Sequence, residues 1–331
     1  MSKKIVVIGG GTGSFTVLSG LKKYKADISA VVSMADNGGS NRVIRDELGL
    51  LPTSDIRQCL VALADSEKER SLRELFVYRF SKGKGLKGMT FGNLFLAALA
   101  DIFGSQTEAI KETSRILKIK GNILPVTLDD SNLVAIYENG KRVVGEHLID
   151  EPRHNGKLRI KRIYLKPGAR AYLGAKKAIL EADLVVIGPG DLYTSIIAGL
   201  LVEEIAGVLK KTKAKKVYVM NLMTKYGQTF GFTARDHIKA LEKHLGRGCL
   251  DFVLVNSATV AKNALMKYKK ENEFLVVDDL GDNNYFKTIR ADLLSKKEVK
   301  RVPGDVLKRS LVRHDSAKLA KFILRLCRQS S

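Results

Sequence analysis

The stretch IGGGTGSFTVLSGL, from Ile8 to Leu21, sets Gly9, Gly10, Gly11 and Gly13 between an apolar run and a helical pattern. After a strand, such a turn lets the backbone approach a ligand and points free amide N–H groups at it. The helix start that follows adds partial positive charge, so phosphate or pyrophosphate is the guest this chemistry suits. Gly10, Gly11, Thr12 and Gly13 are the candidate contacts. Further on, MADNGGSNRV offers Asp36 and Asn37, then Gly38, Gly39 and Ser40. Carboxylates after the end of a strand can hold a divalent cation or a ribose, and Asx side chains can also simply cap the turn. Asp55, in TSDIRQCLVALA, can face Asp36 as a second cation ligand, or it can share with Ser54 the capping of a helix. Arg57, one turn on, can reach a phosphate or sit in a surface ion pair. A second glycine turn, Gly188-Pro189-Gly190, follows another apolar run, and Arg313 in RHDS carries a guanidinium that suits a pyrophosphate.

The first turn is not a Walker A loop, because no Gly-Lys-Ser/Thr closes it. It is also an incomplete dinucleotide fingerprint: Gly9-x-Gly11 is present, but Ser14 holds the third glycine position. Asp36 stands where a ribose carboxylate of an NAD enzyme would be. The motif alone leaves a dehydrogenase, another nucleotide-binding protein and a purely structural turn open.

These residues need strands to carry them. KIVVIGG reads as a buried parallel strand, residues 13–24 as a helix, and DISAVVSMAD (27–36) as the second strand, the opening of a doubly wound sheet. DLVVIGPG, KVYVMNL, DFVLVNS and FLVVDDL (274–280) read as later strands. A helical segment spans about residues 54–118. Between about residues 122 and 166, LVAIYENGKRVVGEHL carries Asn139-Gly140 between β runs, a strong hairpin signal. The expected architecture is a single α/β domain over residues 1–331, Rossmann-like and mostly parallel, with that segment as a β insertion.

Composition narrows the class. Cys59, Cys249 and Cys327 are scattered, with no CxxC, which argues against a disulfide framework or a zinc site and fits a reducing compartment. The longest apolar stretch, 182–209, is broken by GPGD and EE, so no membrane span is expected, and the expected location is the cytoplasm. The net charge of +22 would suit an anionic surface such as nucleic acid, but no nucleic-acid motif accompanies it. Lysines on solvated helix faces explain that charge as well, so nucleic acid is not an expected partner.

Taken with GNLFLAALADIFG (92–104), GPGDLYTSIIAGLLV (188–202), NLMTKYGQTFGFTARDHIKALEKHLG (221–246) and RHDS (313–316), the motifs above resemble the YvcK family. These are bacterial gluconeogenesis-factor-like proteins, homologous to CofD-type 2-phospho-L-lactate transferases. The motifs keep the family's order over nearly the whole chain. The resemblance implies that Asn93, Asn221 and Thr224 face a nucleotide site, with Gly188 and Gly190 in its second turn and Tyr268 near the ligand. Helix capping for Asn93 and core packing for Tyr268 are the alternatives. Asp191, where the family often has Ser, would repel a phosphate. Lys225, Tyr226 and Gln228 depart from the family's Gln-Pro-Gly-Glu. Asn37, where the family often has Asp, weakens a cation site built on Asp36 and Asp55. Ser316 is expected to cap the last helix and offers a phosphorylatable hydroxyl.

The resemblance implies a UDP-N-acetylglucosamine-binding protein with a regulatory role in carbon metabolism, cell shape and cell-envelope synthesis. The alternative is a metal-dependent transferase acting on a nucleotide diphosphate or phosphoester. Magnesium is the one cofactor under consideration, and it belongs to the transferase. The expected partners are the UDP-sugar, proteins of envelope regulation and a second copy of the chain in a homodimer.

Overall fold

A computed structural model describes residues 2–65, 70–281, 285–296 and 311–329. The chain opens β1 (Lys4–Gly9), α1 (Gly11–Leu21), β2 (Asp27–Val32), α2 (Gly39–Leu48), α3 (Ser54–Leu63), α4 (Arg70–Val77), α5 (Phe91–Phe103), α6 (Gln106–Ile116) and β3 (Asn122–Pro125). Next come β4 (Asn132–Tyr137), β5 (Arg142–Val144), α7 (Glu146–Asp150), β6 (Ile160–Lys166), α8 (Leu173–Leu180) and β7 (Leu184–Ile187). A π-helical turn, Leu192–Ile197, runs into α9 (Ala198–Leu200). Then follow α10 (Ile205–Lys211), β8 (Lys215–Val219), α11 (Ala234–Leu245), β9 (Phe252–Asn256), α12 (Lys262–Lys270), β10 (Lys287–Ala291) and α13 (Ser316–Gln329).

Among the described residues the main sheet has seven parallel strands in the order β10-β9-β8-β7-β1-β2-β3. Its central strands are apolar on both faces: Ile5 to Ile8, Leu184 to Ile187 and Val217 to Val219 are all buried. That is the expectation for strands covered by helices on both sides. The mostly parallel, Rossmann-like class read from the sequence is the class observed. Chain order runs outward from β1 through β2 and β3, then restarts at β7 on the other side. The reversal therefore falls between β1 and β7, the place where open α/β sheets form a crevice at the carboxyl ends of their strands.

Two strands differ from the sequence reading. Residues 274–280 do not join the ladder; Phe274 and Leu275 pair instead with the loop after β8, through Thr224 and Met223. The edge place is taken by Lys-Thr-Ile-Arg-Ala, 287–291, a sequence with little apolar character. An edge strand has one ladder partner and tolerates charge, which hid it. Asn122–Pro125, assigned to the insertion from sequence, pairs in parallel with β2 in the main sheet. The separate antiparallel sheet is β5-β4-β6 only, and Asn139-Gly140 makes its hairpin turn, with Gly140 at φ 83°. Among the described residues no helix is long and apolar enough to cross a membrane.

Candidate functional site

The carboxyl ends of β1, β2, β7 and β8 bring most of the sequence candidates to one crevice. Gly10 to Gly13 open α1 directly after β1, and Gly11 has φ 59°, a conformation that favours glycine. The glycines are also needed for close approach. A Cβ on Gly10 would strike the Asp55 carboxylate, and one on Gly13 would strike the carbonyl of Pro189. The second turn, with Gly188 at φ 73°, is thus locked against the first. Asn221, at the end of β8, ties it from the other side by donating through Nδ2 to the Gly190 carbonyl at 2.8 Å.

Asp55 does not cap its own helix. Asn41 does so in its place, its Oδ1 accepting from the amides of Thr53 and Ser54 at 3.2 Å and the Ser54 hydroxyl at 3.0 Å. That frees Asp55 to lean over the glycine turn, where the Gly11 amide donates to it. Burial, then the charge of Asp36, push the Asp55 carboxyl up to about 7, against the opposing pull of that amide. Asp36 accepts from the Gly38 amide at 2.9 Å and from Asn41 Nδ2 at 2.7 Å, yet burial still raises it above the ordinary range.

Two further acids were missed in the sequence. Glu146 and Asp150 lie four apart on α7, which the insertion delivers to the crevice. Burial, then Asp36 and Asp150, hold Glu146 well above the usual carboxylate value. Asp191 is raised to about 6 by burial and by Asp150. Lys225 lies 3.5 Å from Asp150; burial lowers its affinity for the proton, but Asp191 and Asp150 outweigh this and raise it. Gln228 donates to Asp150 at 2.8 Å and to the Thr194 hydroxyl at 3.1 Å. The i,i+4 spacing of Glu146 and Asp150 behind a glycine was the available signal. Asn37 belongs to the same junction, its Oδ1 accepting from the His147 amide at 3.0 Å.

Other candidates sit beneath or beside the crevice. Asn93 is fully buried and donates to the hydroxyls of Ser40 and Ser54 at 2.9 and 3.0 Å, so both serve a supporting network. Arg57 is buried rather than in a surface ion pair, donating to Asn93 Oδ1 at 2.9 Å. Thr224 is buried, and its hydroxyl accepts from the Phe274 amide at 2.9 Å. Tyr268 and the segment of Arg313 form a second group: the Tyr268 hydroxyl accepts from the Val312 amide at 3.2 Å. Asp315, not Ser316, caps α13, accepting from the amides of Ala317 and Lys318. His237 is buried, its Nδ1 2.9 Å from the Thr233 carbonyl of its own helix start.

The buried hydroxyls of Ser14 in α1, Ser33 just past β2 and Thr53 just before α3 have no hydrogen-bond partner among the described residues. The oxygen-only donor set of Asp36 and Asp55 fits a hard cation. Among the described residues no three His, Cys, Asp or Glu side chains converge as metal ligands. Magnesium, however, commonly takes one or two carboxylates and completes its shell with substrate phosphates and water.

The sequence profile of the family described as 2-phospho-L-lactate transferase CofD matches residues 5–294. A gluconeogenesis factor of Bacillus subtilis is 39% identical over 327 residues, covering 98% of both chains. A putative gluconeogenesis factor of Nostoc is 43% identical over 326 residues, covering 97% of this chain and 68% of its own length. A crystal structure of a Bacillus halodurans protein superposes with a TM-score of 0.89 at 36% identity, covering 98% of this chain and all of that one. With its glycine turns at the switch point and these relatives along its length, the chain belongs to the CofD family, among its gluconeogenesis-factor-like members.

Proposed function

We propose that the protein is a nucleotide-sugar-binding regulator whose ligand is UDP-N-acetylglucosamine, acting in carbon metabolism, cell shape and cell-envelope synthesis. The observation that carries the binding reading is the pair of interlocked glycine turns at the topological switch point, where open α/β sheets hold their ligands. The pyrophosphate would lie against the amides of Gly10 to Gly13, displacing the Asp55 carboxylate that now accepts from Gly11. The loop from Asp36 to Gly39 and the Asn221 side chain would face the ribose or sugar. The choice of UDP-sugar rests on the likeness to the YvcK family.

A thermal-shift screen with UDP-sugars, GDP, GTP and NAD, with and without magnesium, tests this reading. A native-state ligand at one hundred times its Kd adds about 2.7 kcal/mol, a rise of roughly 5 °C for a chain of this size. UDP-N-acetylglucosamine is expected to give the largest shift, in EDTA as in magnesium, and NAD none. A shift with NAD alone would reinstate the dehydrogenase.

A second reading, a metal-dependent transferase, is favoured by Asp36 and Asp55, close enough for one charge to raise the other's pKa. Those two would hold the cation, which would neutralise charge on a transferring phosphoryl group. A guanine-nucleotide shift that vanishes in EDTA would select it.

Arg313→Ala is expected to weaken UDP-sugar binding by roughly one to two decades, the loss of a charge-assisted hydrogen bond, with little change in melting. Titration calorimetry checks it, and an unaltered Kd would take Arg313 out of the site.

A further inference from the structure

Between α4 and α5 the chain makes an arm that the crevice does not use. Its two sides are joined by backbone bonds from Phe80 to Met89 at 2.9 Å, Gly88 to Phe80 at 2.8 Å and Phe91 to Tyr78 at 3.0 Å. The arm is anchored by aromatic packing at its base: Phe76 against Phe91 and Phe95, and Tyr78 edge-on to Phe80 at 5.1 Å. Beyond that base, every residue from Ser81 to Lys87 is exposed. The tip reads Ser-Lys-Gly-Lys-Gly-Leu-Lys, so Lys82, Lys84 and Lys87 stand in solvent, and residues 75–100 include no Asp or Glu.

Four apolar side chains on and beside the arm are also left to solvent: Leu75, Val77, Tyr78 and Leu86, each 40–50% exposed. A merely solvated basic loop has no use for them. Lysine, a flexible point charge, suits diffuse phosphates, whereas base reading or bidentate capture favours arginine. The tip carries no arginine and no aromatic side chain to stack on a base. Cationic ends with aliphatic and tyrosyl bodies beside them are the chemistry of the membrane–water interface.

We propose that the 78–88 arm docks the protein reversibly on an anionic lipid bilayer, with Lys82, Lys84 and Lys87 among the headgroups and Leu86 at the acyl boundary. The remaining net positive charge draws the molecule to the same surface over a longer range. The inference stands apart from the nucleotide-sugar reading, since no residue of the arm tip belongs to the crevice.

The test is co-sedimentation of the full chain with vesicles of phosphatidylcholine plus phosphatidylglycerol, and with vesicles of phosphatidylcholine alone. The chain is expected to pellet with the first and stay in solution with the second. Each lysine at an anionic surface is worth about fivefold, so K82A/K84A/K87A is expected to lower partitioning by roughly two decades. Leu86→Ser is expected to weaken binding at a salt concentration where charge is screened. Both variants change exposed side chains, so an unchanged melting curve is the check on folding. Equal pelleting with neutral vesicles, none with anionic ones, or full binding by the triple variant would each overturn the proposal. A single-stranded RNA oligonucleotide run alongside covers the other anionic partner; RNA bound through the same lysines with no vesicle binding would replace lipid by nucleic acid.

Discussion

Acidification from neutral pH to about 4 is expected to remove roughly 3 kcal/mol of stability through His314 alone, and a His314→Leu chain is expected to escape that loss. His314 is 8% exposed, its Nε2 has no hydrogen-bond partner among the described residues, and burial lowers its pKa from 6.5 to about 4. Between those two values the unfolded chain binds a proton that the folded chain refuses. Stability from this group is therefore full above about 6.5 and falls away as the pH drops towards 4. Other groups act in the same window; Asp55, raised to about 7, works in the opposite sense. They are common to both chains and cancel in the comparison. Urea unfolding of the two proteins at several pH values between 7 and 4 gives the answer. Parallel stability curves would show that His314 titrates normally in the fold.

Gly13→Ala is expected to be the most damaging single methyl group in the glycine turn. Its Cβ would land on the carbonyl of Pro189, with the Gly190 amide 3.0 Å away, and neither is the end of a flexible side chain. Overpacking against side chains costs about 1–3 kcal/mol, and a clash between two backbones belongs at or above the top of that range. For a chain of this length the melting temperature should fall by roughly 5 °C or more. Because the two turns are pried apart, ligand affinity should fall with it. Gly207→Ala is the control. Gly207 is an exposed position of α10 with nothing within 4 Å of an added Cβ. There alanine is expected to be neutral or to stabilise by up to about 1 kcal/mol. Equal melting temperatures for both variants would mean that the turns are not in contact.

The part of this protein written in its sequence is the part governed by neighbours in the chain. KIVVIGG needed only its apolar run and terminal glycine to be read as a buried strand. The Gly10–Gly13 turn needed only its glycines, and the Asn139-Gly140 hairpin only its dipeptide between β runs. Those local rules, with the order of the motifs, were enough for the α/β class and for the family.

Tertiary structure decided whatever depends on residues far apart in the chain. Asp55 at the head of α3 has the sequence of an ordinary cap; Asn41 takes that task and releases it to the glycine turn. Ser40 and Asn93 read in the sequence as two separate ligand-facing residues, Asn93 with helix capping as its alternative, and folding turns them into one buried pair. Glu146 and Asp150 sit in an insertion whose sequence says nothing of the crevice, and only the docking of α7 brings their charges to Asp36. Residues 274–280 have the composition of a strand, while 287–291 hold the edge, because pairing is settled by which backbone groups are left unmet in the assembled sheet. Local propensity fixes the elements; which polar groups must satisfy one another across them is known only once the chain has packed.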